Sequence, residues 1–188
     1  PGTRIECYPR SDDQVGGTNT SRIELIVDGG TLNAVGAEAN RILFTVAGTS
    51  PQKGDWYGVR IKNGNATLRY CTVEYGQEGL RLEGGTPSVS DCVFQKCSSH
   101  GVNFTVAGQI SRCMLCENGG NGVSGVPEAA INLSECVIER NAGHGIGTGN
   151  AQLSATGCVI ASNTGVGVRV SGNGSTNSAT LTTCTITG

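Results

Sequence analysis

Two short phrases recur along the chain at a nearly constant distance, and this repeat limits the fold more than any other feature of the sequence. The first phrase is a glycine, an aliphatic residue, any residue and usually another apolar residue. The second phrase runs in phase with it and is a cysteine followed two residues later by an apolar residue. The glycines are Gly58, Gly79, Gly101, Gly122, Gly145 and Gly167, and the cysteines are Cys71, Cys92, Cys113, Cys136, Cys158 and Cys184.

The spacing inside each repeat predicts short β-strands. Apolar residues alternate with a period of two, β-branched residues are frequent, and Gly and Asn stand between the apolar segments. The repeat glycines lie 21 to 23 residues apart, a distance that suits one turn of a solenoid. Leucine-rich repeats share this length, but their leucine-rich consensus is absent. We therefore predict an all-β, parallel β-helix of about eight coils, each of about 22 residues.

Residues 25–36, 42–45 and 54–59, together with the two phrases, resemble the opening coils and repeats of the pectate-lyase-like superfamily, in particular its bacterial secreted or surface members. The resemblance implies a single-stranded right-handed parallel β-helix. It says less about activity, because the superfamily contains lyases, hydrolases, epimerases, adhesins and inert spacers. We expect one domain over residues 1–188, a fragment of a longer protein, with irregular opening coils at 1–57 and regular repeats at 58–188.

Composition excludes two classes of function. The net charge of −2 is incompatible with the broad basic surface of a nucleic-acid-binding protein. No run of apolar residues approaches the 18 or so that a membrane span requires. We expect an extracellular or cell-surface location in a bacterium, and the chain contains no recognisable signal segment.

The repeated cysteines share a strand face with the apolar residues two positions later, so both should point into the core. Two states stay open for them: free thiols packed as small apolar groups, or disulfides between adjacent coils. Three asparagines each lie five residues after one of the repeated cysteines, which we call the column cysteines. They should form a ladder of stacked turn residues, because asparagine tolerates the left-handed conformation and can hydrogen-bond along the stack. Sugar contact is the alternative role of these residues, which are Asn118, Asn141 and Asn163.

The residues directly after the cysteines should point outward, yet four consecutive ones are apolar. This stripe consists of Val93, Met114, Val137 and Val159. It predicts an interface, covered by the loop 9–21, by a missing segment of the parent protein or by another chain. The alternative is that these residues only stabilise their strands. Open coil ends offer a second route to self-association.

A small set of charged and aromatic residues carries the candidate chemistry. Arg60 and Arg81 occupy equivalent outward positions of neighbouring coils and could bind an anionic glycan. With Lys62 and Glu83 they are also the candidates for a lyase site. The alternative is a solvated salt-bridge cluster in which Glu83 lies against Lys62. No cofactor is expected, with calcium as the open alternative. A calcium ion would need three oxygen ligands, and only Glu83, Glu74 and Glu78 are near in sequence.

Aromatic and histidine residues complete the candidates. Trp56 and Tyr75 could stack on sugars, although packing on a coil edge is the alternative for the tryptophan. Gly143-His144-Gly145 resembles one polygalacturonase motif, but the aspartate motifs of that family are absent, and His100 precedes a glycine in the same way two coils earlier. We therefore interpret both histidines as turn residues. No metal site is predicted.

Three functions remain. The leading hypothesis is a non-catalytic extracellular or cell-surface module for spacing, adhesion or glycan contact, whose partner is a polysaccharide or another protein chain. The alternatives are a lyase-like enzyme that acts on anionic polysaccharides and a self-assembling structural module.

Overall fold

The computed structural model describes residues 1–10, 17, 19–172 and 177–188, and this part of the chain contains β-strands but no helix. Two of the five opening strands are 12 residues long. The opening strands are β1 (Arg4–Cys7), β2 (Glu24–Val35), β3 (Ile42–Val46), β4 (Gly58–Arg69) and β5 (Cys71–Glu74).

Five regular turns follow, each built from three short strands. They are β6 (Leu80–Leu82), β7 (Ser88–Ser90) and β8 (Val93–Gln95); β9 (Val102–Phe104), β10 (Gly108–Ser111) and β11 (Met114–Cys116); β12 (Val123–Gly125), β13 (Ala130–Ser134) and β14 (Val137–Glu139); β15 (Ile146–Gly149), β16 (Gln152–Thr156) and β17 (Val159–Ala161); and β18 (Val168–Ser171), β19 (Ser178–Thr182) and β20 (Thr185–Thr187).

The strands stack into three faces around one core. Face A is an eight-stranded sheet in the order β1-β3-β5-β8-β11-β14-β17-β20. Faces B and C form one 12-stranded sheet, because β2 and β4 continue from one face into the other. Face B holds their first halves and β6, β9, β12, β15 and β18, and face C holds their second halves and β7, β10, β13, β16 and β19.

All pairs between these strands are parallel, which confirms the predicted fold class of an all-β parallel solenoid. The number of regular turns is somewhat smaller than the predicted coil count of about eight. The difference arises in the opening part, where two long strands replace separate short strands and the distance between turns departs from the regular repeat.

Equivalent residues of successive turns lie above one another. On face B, the residues after the repeat glycines pair in the order Leu80, Val102, Val123 and Ile146. On face A, the N–H of the residue after a cysteine donates to the carbonyl of the cysteine one turn earlier. The first five column cysteines are at most 2% exposed, whereas Cys184 in the last turn is half-buried.

The thiols should therefore differ sharply in reactivity. All nine are free, and only Cys184 is not buried. Burial raises the pKa of Cys7 to about 11 and that of Cys97 to about 12, which suppresses the reactive thiolate. We expect one thiol of the native protein to react rapidly with Ellman's reagent and the other eight to react only after unfolding. The Cys184→Ser variant should lose the rapid phase, and several rapid thiols in the native protein would contradict this burial.

The corners on both sides of face A are made by single residues in the left-handed conformation, with φ between 49° and 63°. One set directly precedes the column cysteines, and the other directly precedes the asparagine position. The first set is Tyr70, Asp91, Arg112, Glu135, Gly157 and Thr183, and the second is Tyr75, Lys96, Glu117, Arg140 and Ser162. The expectation that the asparagines themselves adopt this conformation is wrong, because the preceding residue makes the corner.

The three asparagines instead point inward and bond to one another along the helix axis. Asn141 Oδ1 accepts from the N–H of Asn118 at 3.1 Å and from its Nδ2 at 2.9 Å. Asn141 Nδ2 donates to Asn163 Oδ1 at 2.9 Å and to the carbonyl of Leu115 at 3.0 Å. Asn118 and Asn141 are fully buried, so these amides satisfy backbone groups inside the turn and are closed to a sugar.

The apolar stripe lies on the outer side of face A in unbroken register. Met114 and Val159 are 37% and 40% exposed, and Val93 and Val137 are half-buried. Most of the loop 9–21, one of its expected covers, lies outside the described residues. Association through this stripe or through the coil ends stays a prediction.

Candidate functional site

The two arginines of the predicted strip lie side by side on face B, with Arg60 in β4 paired in register with Arg81 in β6. The side chain of Arg60 is only 4% exposed. Its Nη1 donates to Glu24 at 2.6 Å, and its Nη2 donates to both oxygens of Glu83 at 2.8 and 2.9 Å. The prediction that Arg60 is an exposed binding residue is therefore wrong, since two carboxylates cover its guanidinium group.

Arg81 is enclosed in the same network. Its Nε donates to Glu83 at 2.7 Å, and its Nη1 lies 3.3 Å from both oxygens of Glu78. Glu78 also accepts from Asn103 Nδ2 at 2.8 Å. We call this set the arginine cluster; it comprises Arg60, Arg81, Glu24, Glu78 and Glu83.

Electrostatics favours the ionised forms of Glu83, Arg60 and Arg81 in the arginine cluster. Burial opposes the charged state of Glu83, but hydrogen bonds from Arg60 and Arg81 outweigh it and lower the pKa of this carboxyl group. Burial also opposes the charge of Arg60, and hydrogen bonds to Glu83 and Glu24 again outweigh it, so the pKa of Arg60 is raised. A protonated guanidinium group that is hydrogen-bonded to two carboxylates is a poor general base. The geometry is that of a structural ion-pair network.

Lys62 does not join this cluster. The β4–β6 pairing ends at Ile61 and Leu82, one residue before Lys62 and Glu83, and the Glu83 side chain turns to the arginines. Lys62 Nζ instead lies 3.4 Å from Asp28 at the surface. The predicted Lys62–Glu83 contact is therefore wrong.

The carboxylates proposed for calcium do not meet. Glu74 lies on face A, where it accepts from Thr45 Oγ1 at 2.9 Å and from Gln95 Nε2 at 2.8 Å. Glu78 and Glu83 belong to the arginine cluster on face B. Among the described residues, no group of three or more His, Cys, Asp or Glu side chains is arranged to hold a metal ion.

Neither aromatic candidate for stacking on a sugar is fully exposed. Trp56 is fully buried, and its Nε1 donates to the carbonyl of Glu74 at 2.8 Å. The sugar-contact role of Trp56 is therefore excluded, and the alternative of packing holds. Tyr75 is half-buried against the core, with the ammonium group of Lys96 5.7 Å from its ring centre.

Both histidines lie in loops between strands, and each accepts a hydrogen bond from the backbone of the next turn of the solenoid. His100 Nδ1 accepts from the N–H of Asn121 at 3.1 Å, and His144 Nδ1 accepts from the N–H of Val166 at 3.1 Å. Burial lowers the pKa of His100, which keeps its ring neutral and suited to this role. Each ring thus satisfies a backbone donor.

A groove on face C was not identified from the sequence. It has a volume of about 450 Å³ and crosses the strands β7, β10, β13 and β16. Its floor holds two columns of outward, uncharged polar side chains that repeat once per turn. They are Ser88, Gln109, Asn132 and Ser154 in one column and Ser111, Ser134 and Thr156 in the other. We call this region the face C groove.

One charged residue, Arg112, lines the face C groove, and its charge is neutralised at the rim. Arg112 Nε and Nη2 donate to the two carboxylate oxygens of Asp91 at 2.7 and 3.0 Å. This bidentate pair offsets the charge of Arg112, the one charged residue that lines the groove.

The same pair makes stability depend on acid. Hydrogen bonding from Arg112 lowers the pKa of the Asp91 carboxyl group to about 2 in the folded protein. The ionised carboxylate therefore stabilises the folded state at pH values above the pKa of the unfolded chain. This contribution is lost as the pH falls from about 4 to 2. We expect Asp91→Asn to lower the free energy of unfolding by about 1 kcal/mol at pH 7 and by much less at pH 2.5. Urea unfolding of both proteins at the two pH values measures this; an equal difference at both would contradict it.

Comparisons with known proteins identify one family. The sequence profile described as right handed beta helix region matches residues 39–188, a span that covers the five regular turns and the arginines and groove described above. No curated protein and no solved structure matches the chain. Within the described residues, no helix is long and apolar enough to cross a membrane.

Proposed function

Because the chain belongs to the right-handed β-helix family, we propose that it is a non-catalytic module that works outside the cell and contacts a neutral polysaccharide along the face C groove. The observation that carries this proposal is the pair of neutral polar columns that repeat once per turn across four strands of the groove. The sequence resemblance to secreted and surface proteins supports the location.

The chemistry of the groove suits a neutral sugar chain. Hydroxyl and amide side chains both donate and accept hydrogen bonds, as sugar hydroxyl groups do. Gln109 and Asn132 are exposed at the centre of the groove, with Ser88 and Ser154 on either side in the same column. Because the column runs along the solenoid axis, a linear chain could contact several turns at once, and many weak contacts would add to one specific interaction.

The arginine cluster supports the absence of catalysis. All its carboxylates and guanidinium groups bond to one another, and the two arginines have raised pKa values. A lyase needs a base that can take a proton from the sugar, and a glycosidase needs two carboxylates that flank the scissile bond. In the arginine cluster, the carboxylates that could serve already accept hydrogen bonds from the arginines.

Affinity electrophoresis in gels that contain β-glucan, xylan, mannan or starch tests the contact. We expect at least one neutral polysaccharide to retard the protein, and the Gln109→Ala/Asn132→Ala variant to bind it about tenfold more weakly or worse. Thr187→Ala, which replaces an exposed polar residue on face A, is the matched control and should bind normally. Unretarded migration in every gel, or equal binding by the double variant, would overturn the proposal.

A second assay tests the absence of catalysis. The protein is incubated with pectate and other anionic polysaccharides, with and without Ca²⁺, and unsaturated products are followed by absorbance. We expect no product. Product formation that disappears in Arg81→Ala would overturn the non-catalytic assignment and restore the lyase hypothesis.

A further inference from the structure

His144 stands in the turn before β15, and its ring carries a proton on a defined nitrogen. The N–H of Val166 donates to Nδ1 at 3.1 Å, and a backbone N–H is always a donor. The lone pair of the neutral ring is therefore at Nδ1, and the proton is on Nε2. His144 thus presents an N–H donor to the outside of face B.

That donor faces another donor. Nε2 of His144 lies 3.3 Å from Nη1 of Arg169 in β18. A guanidinium group has no acceptor, so no hydrogen bond can form between these two nitrogens. Two N–H groups that point into the same small space need an acceptor beside them.

A third donor lies next to the pair. Asn121 Oδ1 accepts from the N–H of His144 at 2.9 Å, which fixes the orientation of the amide and leaves Nδ2 as its free end. This Nδ2 lies over Gly147, so close that a Cβ at this position would collide with it, and the same Cβ would lie 3.3 Å from Cδ2 of His144. The absence of a side chain at Gly147 therefore lets the Asn121 amide lie beside the His144 ring.

The strand register builds this arrangement. Gly147 in β15 pairs with Ser124 in β12 on one side and with Arg169 in β18 on the other. Arg169 therefore continues the outward column that begins with Arg60 and Arg81, but its surroundings differ. In the described part of the chain, Arg169 forms no ion pair with a carboxylate, whereas Arg60 and Arg81 are each bonded to two.

We propose that Asn121, His144 and Arg169 form a binding site on face B for an oxyanion group, such as a sulfate, a phosphate or a carboxylate. An oxyanion accepts hydrogen bonds and donates none, which matches a set of three donors, and the guanidinium group adds a charge-assisted bond. The site lies on a different face from the face C groove and goes beyond the proposed function, because it recognises charge where the groove is neutral.

Nitrogen-15 NMR of the imidazole groups tests the site in the intact protein. The free protein should show His144 protonated on Nε2. Sodium sulfate, sodium phosphate and sodium glucuronate are titrated separately, with sodium chloride at matched ionic strength as the reference. We expect a saturable shift of the His144 ring signals with at least one of the three oxyanions, and the strongest binder identifies the source of the group.

His100 is an internal control, because its Nδ1 also accepts a backbone N–H, but its surroundings include Glu78. Its signals should not follow the titration. Arg169→Gln should weaken oxyanion binding about tenfold or more, whereas Arg140→Gln, an exposed arginine that is paired with Glu139, should not. Thermal unfolding checks that both variants fold. Shifts equal to those with chloride, or unchanged affinity in Arg169→Gln, would overturn the proposal and leave the face C groove unaffected.

Discussion

Replacing Asn141 with alanine is expected to lower the free energy of unfolding by about 3–5 kcal/mol, because the substitution orphans several buried polar groups at once. The N–H of Asn118 loses its acceptor, and the carbonyl of Leu115 loses a donor. Nδ2 of Asn118 and Oδ1 of Asn163 lose one bond each. Urea unfolding measures the change.

The control for this substitution is Asn132→Ala. Asn132 is also an asparagine within the regular turns, but it is exposed on face C, and its removal should change the free energy of unfolding by about 0.5 kcal/mol or less. If the two variants lost similar stability, the asparagine ladder would not support the fold in the way its hydrogen bonds indicate.

Replacing Arg60 with methionine should lower the free energy of unfolding by about 3–5 kcal/mol, because it removes the buried cation that Glu24 and Glu83 share. The Glu24 and Arg60 side chains are 3% and 4% exposed, and Glu83 is 17% exposed. Glu83 would retain only Arg81. Chemical denaturation at neutral pH gives the value.

Lys62→Met is the matched control, since it removes a cation from the same strand. Lys62 is 47% exposed and pairs with Asp28 across 3.4 Å, so we expect a loss of about 1 kcal/mol or less. The double variant Arg60→Met/Glu83→Gln should recover part of the stability lost in Arg60→Met. A small effect of Arg60→Met together with loss of a catalytic activity would show that the arginine cluster serves chemistry and not structure.

The repeat predicts most of the architecture because each turn carries the same spacing. A cysteine with an apolar residue two positions later places both side chains inside, and the buried pairs Cys92 with Phe94 and Cys136 with Ile138 agree with that reasoning. The outward column of Arg60, Arg81 and Asn103 likewise follows from the glycine spacing.

The partners of Arg60 could not be predicted, because one of them lies outside the repeat. Glu24 is in β2, whose residues pair with those 34 positions later, and the β2–β4 pairing contains register shifts near Asp28. A search for a period of about 22 residues passes over this segment. Because the repeat does not reveal Glu24, the outward position of Arg60 predicts an exposed side chain. In the structure, Glu24 and Glu83 cover it.

The corners and the groove were missed for different reasons. The left-handed residues before the cysteines, such as Tyr70, Asp91 and Thr183, share a position but no side-chain type, so composition gives no signal. The groove column of Ser88, Gln109 and Asn132 does follow the repeat spacing. Its uncharged side chains are common on solvated strands, however, and only the shape of face C distinguishes them from an ordinary surface.

Every site described above depends on equivalent residues lying above one another once per turn. Anomalous scattering from native sulfur in a crystal tests this directly. The register predicts one row of six peaks, from Cys71 to Cys184, spaced about 4.8 Å apart along a single axis. Cys7, Cys97, Cys116 and Met114 should add four peaks outside this row. If the six column sulfurs did not form such a row, the result would contradict the register and with it the asparagine ladder, the arginine cluster, the groove and the oxyanion site.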